Sequence, residues 1–105
     1  MKWRKIMASD TLLENKSKTK IKEPKKYKVV MYNDDFTPMD FVVDILIHIF
    51  HKSKEEAVTL MMTIHKGTKA VAGIYSYDIA KTKAEQSMSL AREAGYPFRV
   101  KVKSC

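Results

Sequence analysis

The chain has 105 residues, enough for one domain with a core of its own. Apolar residues make up 45% and charged residues 30%, an ordinary balance for a globular domain. No run of about 18 apolar residues is present that would span a membrane, and the N-terminus lacks the apolar stretch of a secretory signal. The single cysteine, Cys105, excludes an internal disulfide. We therefore expect a cytoplasmic protein from a reducing compartment.

The positive charge is unevenly distributed along the chain. Residues 1–26 hold nine Lys/Arg and three Asp/Glu, whereas residues 27–105 hold eleven and nine. We therefore assign the basic character to an N-terminal extension and not to a folded surface. The polar stretch ENKSKTKIKEPKK lacks apolar periodicity and cannot offset the entropy cost of ordering it. The sequence predicts a flexible basic extension over residues 1–26 and one folded domain over residues 27–105.

The predicted elements begin with a buried strand and a helix. The strand YKVVMY, Tyr27–Tyr32, is apolar and β-branched. After a polar NDD loop, Thr37 has the pattern of an N-cap, Pro38 that of a first helical residue, and Asp40 that of a capping-box acid. This pattern predicts a helix from Pro38 to about His51.

A second helix and a second strand follow. Ser53 and Glu56 form a capping-box pattern, which predicts a helix from Lys54 to about His65. Gly67 is the expected end of that helix. The segment KAVAGIYS, residues 69–76, predicts the second strand, in which Gly73 indicates a bulge or a close backbone approach.

A third helix and a last strand complete the chain. Ser76 is the expected N-cap of the helix and Gly95 its end. Pro97 precedes the last strand, FRVKV, residues 98–102. The residues whose helical spacing predicts this helix are Ile79, Ala80, Lys83, Ala84, Met88 and Ala91.

The order β-α-α-β-α-β predicts an α+β domain of two layers, with three helices packed on one face of a small three-stranded sheet. The first two helices are more apolar than one core-facing stripe requires. We therefore expect an exposed apolar groove or an oligomer contact beside them. Met39, Met61 and Met62 suit such a groove because methionine is flexible and polarizable.

The polar residues around that groove indicate a binding site. Antiparallel helices joined by a short loop place the start of the first beside the end of the second, so Asn33, Asp34, Asp35 and His65 should converge. Each signal also has a plainer explanation, since NDD is common turn chemistry and a histidine at a helix C-terminus complements the helix dipole. Together they predict an anionic, hydrogen-bonding rim suited to a ligand with an ammonium group beside a large apolar side chain. The predicted lining of the pocket is Met39, Val42, Met61 and Ile64.

The segments YKVVMYNDDFTPMDFVVDIL and LMMTIHKGTKAVAG closely resemble the ClpS adaptor family, and the resemblance spans about residues 26–103. Its motif is N-D-D-aromatic-T-P-M at the strand-to-helix junction, with a His at the end of the second helix followed by G-x-K-A-x-x-G. The resemblance implies an adaptor of the bacterial N-end rule, which binds N-degron substrates that begin with Leu, Phe, Tyr or Trp. Such adaptors deliver them to the N-terminal domain of the AAA+ unfoldase ClpA, or ClpC, for degradation by ClpP.

The resemblance also implies a role for particular residues. Asn33, Asp35 and His65 would bind the α-amino group of the substrate, and Met39 would exclude β-branched first residues. The family match implies no enzymatic activity, no cofactor, no metal, no nucleic-acid or membrane partner, and a monomer. The hydrophobic pocket would be lined by Thr37, Met39, Val42, Met61, Ile64 and Phe98.

Two further implications concern docking and specificity. Asp78 and Lys83, at the start of the third helix, occupy the positions that contact the unfoldase in the family. Ile64 and Phe98 are bulkier than the Val and Leu common at their positions, so tryptophan should fit the pocket less well.

The sequence is also compatible in part with three other functional classes: a metal site or enzyme, a nucleic-acid-binding module and a different protein-interaction domain. Asp34, Asp35 and His65 could bind a metal in principle, but their spacing matches no known site and no nucleophile–base pair is present. The basic extension would suit a nucleic-acid-binding module, but no aromatic platform motif accompanies it. A protein-interaction domain like the C-terminal domain of the ribosomal stalk protein shares the fold, and the NDD-T-P-M junction argues against it.

Overall fold

The computed structural model describes residues 25–105, so the extension predicted over residues 1–26 lies outside the described part except for its last two residues. The predicted order of elements and the α+β class are confirmed. Among residues 25–105, no helix is both long and apolar enough to cross a membrane. The elements are β1 Tyr27–Tyr32, α1 Met39–His48, α2 Lys54–Gly67, β2 Lys69–Tyr75, α3 Tyr77–Ala94 and β3 Arg99–Ser104.

The three strands form one antiparallel sheet in the order β2-β1-β3. Val29 and Met31 of the central strand are fully buried and lie in one core cluster with Leu46 of α1. Helix α3 packs on the sheet through small residues, among them Ala84 and Ala91, which allow close approach. This packing confirms the predicted two layers.

Helix α1 is shorter than predicted at both ends. Pro38 is the N-cap, with extended backbone angles (φ −64°, ψ 147°), and no side chain caps the helix. The predicted cap at Thr37 is therefore wrong, because its hydroxyl is bonded elsewhere, as described below. At the other end the helix stops at His48, and His51 has a positive φ of 56°. The backbone amide of Lys52 donates a hydrogen bond to the Leu46 carbonyl (3.0 Å). This bond folds the chain back over the last turn of the helix, so His51 lies in the turn and not in the helix.

Helix α2 begins as predicted and extends two residues beyond His65. The Ser53 hydroxyl accepts a hydrogen bond from the Glu56 amide (3.1 Å), and the Glu56 carboxylate accepts one from the Ser53 amide (3.2 Å). The capping box is therefore confirmed. Gly67 is the last helical residue, and Thr68 adopts the left-handed conformation (φ 75°) expected of a glycine.

Helix α3 begins after Ser76 and ends at Gly95, which has a φ of 84°, as predicted. The Ser76 side chain makes no capping hydrogen bond. Of the residues at helical spacing, Ala80, Ala84 and Ala91 are buried, whereas Ile79 is 49% exposed. Ser87 is buried instead, because its hydroxyl can donate back to the Lys83 carbonyl (2.8 Å) within the helix.

Gly73 has both properties that the sequence predicts. The register between β1 and β2 shifts between Val29 and Val30, which pair with Gly73 and Val71, so β2 carries one extra residue. A Cβ atom at Gly73 would also collide with the ring of Tyr75. The glycine therefore permits a bulge and a close approach at the same place.

The side of the sheet away from the helices, called here the open face, is strongly basic. This corrects the expectation that the folded part carries no basic surface. Val29 and Met31 point into the core, so the alternate residues of β1 point outward, and the register extends this face to β2 and β3. The open face consists of Lys28, Val30, Tyr32, Lys69, Val71, Ile74, Arg99, Lys101 and Lys103.

Candidate functional site

A cavity of about 340 Å³ lies between the loop after β1, the start of α1 and the end of α2. Its volume is within the range of small-ligand sites. Helices α1 and α2 pack together, so the start of the first lies beside the end of the second, as the sequence predicts. The lining consists of Asn33, Asp34, Asp35, Phe36, Thr37, Pro38, Met39, Val42, Met61, Ile64 and His65.

The cavity has an apolar interior and a polar rim. Val42 and Ile64 are 6% and 4% exposed and belong to the protein core. Met39 is 43% exposed, and Met61 is half-buried. Asn33, Asp35 and His65 are exposed at the rim. An apolar side chain of a ligand would therefore be enclosed while a polar group stays at the surface.

The two adjacent carboxylates of the loop have different tasks, and Asp34 holds the loop together. Its Oδ1 accepts hydrogen bonds from the amides of Phe36 (2.8 Å) and Thr37 (2.7 Å). Its Oδ2 accepts one from the Thr37 hydroxyl (2.7 Å), which explains why Thr37 does not cap α1. Partial burial opposes ionisation of Asp34, but these hydrogen bonds and nearby Arg99 outweigh it, so the pKa of Asp34 lies below its ordinary value.

Asp35 remains available to a ligand. Among residues 25–105 no protein group donates a hydrogen bond to its carboxylate. The backbone amide of Asn33 donates to the Thr68 carbonyl (2.7 Å), which fixes the start of the loop against the chain that follows α2 and leaves the Asn33 side chain out of this bond. His65 lies one turn after Met61 on α2 and lines the same cavity. The rim thus offers a carboxylate, an amide oxygen and an imidazole.

One predicted lining residue is elsewhere. Phe98 is 5% exposed and lies in the core, with its ring 6.4 Å from that of Phe41, and it is absent from the cavity lining. The sequence interpretation also passed over Phe36 and Pro38, which do line the cavity. Phe36 is 75% exposed. Its place at the aromatic position of the N-D-D-aromatic-T-P-M motif is the sequence feature that identifies it as a lining residue.

The two residues predicted to contact an unfoldase lie near the start of α3. Asp78 is exposed in the first turn. The ammonium of Lys83 donates to the Ile49 carbonyl (2.6 Å) and lies 5.4 Å from the Tyr75 ring centroid. Lys83 therefore joins α3 to the end of α1, while Asp78 is free at the surface.

A metal site at the rim was the alternative for Asp34, Asp35 and His65. Within residues 25–105, no three His, Cys, Asp or Glu side chains are grouped closely enough to hold a metal ion. Asp34 already directs both oxygens at its own loop.

The chain is similar to proteins of one family. The family model described as ATP-dependent Clp protease adaptor protein ClpS matches residues 22–101. The ATP-dependent Clp protease adapter protein ClpS of Treponema denticola is 55% identical over 80 residues, covering 76% of this chain and 79% of the relative. The ClpS of Wolinella succinogenes is 41% identical over 97 residues, covering 92% and 95%.

A solved structure is also similar. It is the structure of Agrobacterium tumefaciens ClpS2 bound to L-phenylalaninamide, with a TM-score of 0.77 and 38% sequence identity. The match covers 79% of this chain and 100% of that one. Since the family model covers most of the chain and curated relatives exceed 40% identity, this chain belongs to the ClpS family of ATP-dependent Clp protease adaptor proteins.

Proposed function

We propose that this protein binds polypeptides by a free N-terminal residue with a large side chain that is not branched at Cβ (Leu, Phe, Tyr or Trp), and delivers them to a Clp unfoldase. The observation that carries the proposal is the rim of free acceptors above an apolar cavity. L-phenylalaninamide, the ligand of Agrobacterium ClpS2, has a free amino group beside a benzyl side chain. That is the ligand chemistry that the rim and the cavity of this chain favour.

Recognition of the amino group depends on its charge. An α-amino group has a pKa of about 7.7 to 8.0 and is largely cationic at neutral pH. Its three donors match the Asp35 carboxylate, the Asn33 side-chain oxygen and the His65 imidazole. Each charge-assisted hydrogen bond contributes about 1.5 to 3 kcal/mol.

The cavity recognises the side chain that follows the amino group. Burying a Leu or Phe side chain contributes about 1.5 to 3 kcal/mol. Together with the amino contacts this suits roughly micromolar affinity once ordering costs are subtracted. Such an affinity allows an adaptor to release its cargo. Ile64, a bulkier residue than Val, lines the cavity directly.

The binding proposal is tested by fluorescence titration with a short peptide that begins with Phe and with its N-acetylated twin. The acetyl group removes the charge and two donors, and leaves rim acceptors unpaired, so we expect at least a tenfold loss of affinity. A peptide that begins with Leu should behave like the Phe peptide. Equal binding of the free and acetylated peptides would contradict the proposal.

For delivery, we propose that exposed Asp78 contributes to the contact with the N-terminal domain of ClpA or ClpC, with the protein acting as a monomer in the cytoplasm. The test is degradation of a Phe-initiated reporter by the unfoldase and ClpP. Asp78→Lys should slow degradation without changing peptide affinity, and Glu85→Lys, a later exposed acid of α3, is the matched control. If Asp78→Lys degrades the reporter at full speed, the contact lies elsewhere.

A further inference from the structure

The open face separates the charges of the domain. The three strands contain five of the eleven Lys/Arg of residues 27–105 and none of the nine Asp/Glu. The remainder of the domain therefore has six basic and nine acidic residues. A nearly balanced total thus conceals one strongly positive surface, and like charges this close repel unless an anion lies among them.

The positive side chains surround one aromatic ring and one valine. The Arg99 guanidinium lies 5.2 Å from the Tyr32 ring centroid, and the ammonium groups of Lys101 and Lys103 lie 5.8 Å from it. Val30 is only 5% exposed although it points outward, which indicates that long basic side chains cover it. A shallow depression of about 250 Å³ is lined by Lys28, Val30, Lys69, Ala70, Val71 and Lys103.

Protection of sheet edges does not account for this arrangement. Lysines on edge strands hinder edge-to-edge aggregation, and this explains charges on β2 and β3. Lys28, however, lies on the central strand, between Ile74 on one side and Lys103 on the other. Edge protection therefore does not explain the basic residue on the central strand, which has no free edge.

The open face is continuous with the rim of the cavity. Tyr32 is the last residue of β1, and the rim begins at the next residue. Arg99 pairs with Tyr32 in the sheet and is close enough to Asp34 to help lower the pKa of that carboxyl. The bond between the Asn33 amide and the Thr68 carbonyl places Lys69, the first residue of β2, beside the loop.

We propose that the open face binds acidic residues of the cargo polypeptide, downstream of the terminal residue held in the cavity. This proposal rests on the proposed function. Arg99, Lys101 and Lys103 recur every second residue, about 6.7 Å apart, which matches alternate side chains of an extended cargo. With its first residue in the cavity, the cargo's second and third residues would pass Asp34 and Asp35 at the rim. The favoured acids would then be at roughly the fourth to tenth positions, given about 3.4 Å per extended residue.

Single-stranded nucleic acid is the rival occupant of a basic sheet face. Such proteins stack bases on free aromatic rings. The open face has one aromatic residue, Tyr32, and three basic groups already lie around its ring. The geometry therefore favours carboxylates, which need point charges and no stacking surface.

The test compares two Phe-initiated peptides on the unmodified protein, one with four Glu among positions 4–10 and one with Gln at the same places. At about 50 mM salt we expect the Glu peptide to bind roughly five- to thirtyfold more tightly, since several exposed ion pairs add together. The difference should nearly vanish at about 500 mM salt, where charges are screened. An N-acetylated Glu peptide should bind far more weakly than its free form.

Variants locate the effect. Lys101→Gln with Lys103→Gln should reduce the preference for Glu to threefold or less while affinity for the Gln peptide stays the same. The matched control is Lys54→Gln with Lys81→Gln, two exposed lysines on helices, and it should retain the preference. Thermal unfolding of each variant shows whether it remains folded, and the peptide comparison on the unmodified protein needs no variant.

The outcomes separate the two proposals. If neither Phe peptide binds, the proposed function is wrong, and this inference falls with it. If both bind equally at low salt, the function stands and the inference is overturned. If a single-stranded oligonucleotide displaces the Glu peptide at lower concentration than a free acidic peptide does, the face serves nucleic acid and the inference is also overturned.

Discussion

The rim of the cavity and the open face of the sheet are neighbours with opposite charge, and they are built differently. The rim carries its acids on one short loop, Asn33–Asp35, and adds His65 from the end of α2. The open face gathers its cations from three strands that lie far apart in the sequence. A site concentrated in one motif is visible in the sequence, whereas a surface assembled by alternation across strands is visible only when the register is known.

A second contrast lies within the rim itself. Asp34 and Asp35 are adjacent in sequence, yet Asp34 accepts three hydrogen bonds from its own loop and Asp35 accepts none from residues 25–105. One carboxylate therefore holds the loop in shape, and the other is the one that we propose binds the ligand. Substitutions that separate stability from binding test this division.

The largest effect is expected for Asp35→Asn. It removes the negative partner of the cargo's ammonium group, so affinity for a Phe-initiated peptide should fall about ten- to a hundredfold, as loss of a charge-assisted hydrogen bond predicts. Thermal unfolding should be unchanged because the side chain is exposed. Asp44→Asn, an exposed acid of α1 outside this cavity, is the control. Unchanged affinity in Asp35→Asn would remove Asp35 from the amino-group site.

A smaller effect is expected for Met39→Ala. Met39 lines the cavity entrance and is 43% exposed, so shortening it opens space with little loss of core packing. Peptides that begin with Ile or Val should gain roughly tenfold in affinity, about the effect of relieving a clash worth 1 to 2 kcal/mol. Peptides that begin with Leu should change little. If β-branched peptides remain excluded while Leu binds, Met39 does not act as the gate.

The sequence predicted the fold and much of the cavity because their signals are local. Capping residues, the strand pattern and the NDD-T-P-M junction each lie within a few positions. For Phe98, burial of the side chain in the core is observed, and its role at the pocket stays a prediction. Thr37 was misassigned because Ser/Thr capping and Asx-type bonding compete for the same groups. The open face was missed because the number of charged residues in a sequence does not show which face of the sheet carries them.

The next effect concerns stability. Asp34→Asn keeps an amide oxygen for the loop but removes the charge, which should cost about 1 to 2 kcal/mol and lower the melting temperature by several degrees. Because the pKa of Asp34 is lowered in the folded state, its stabilisation is complete above the ordinary value of about 3.9 and is lost as pH falls through the lowered value.

The pH dependence supplies the control for this substitution. The difference in melting temperature between the unmodified protein and Asp34→Asn should be constant from pH 7 to about pH 5 and should shrink as pH falls below about 3.9, where the carboxyl of the unfolded chain takes up a proton before that of the folded chain. Asp44→Asn should show no such difference. A gap that stays constant down to pH 3 would mean that the loss comes from geometry and not from charge.

The smallest effect is expected at the far end of α2. Ser53→Ala removes the acceptor for the Glu56 amide and should cost about 1 kcal/mol of stability, as loss of an N-cap does. Affinity for a Phe-initiated peptide should be unchanged, because His65 lies twelve helical residues away, roughly 18 Å along the axis. Thr59→Ala, an exposed site within the same helix, should not destabilise because alanine is the better helix former. If peptide affinity falls together with stability in Ser53→Ala, then loss of the N-cap alters the rim at the other end of α2. In that case the two ends of the helix do not have separate structural and binding roles.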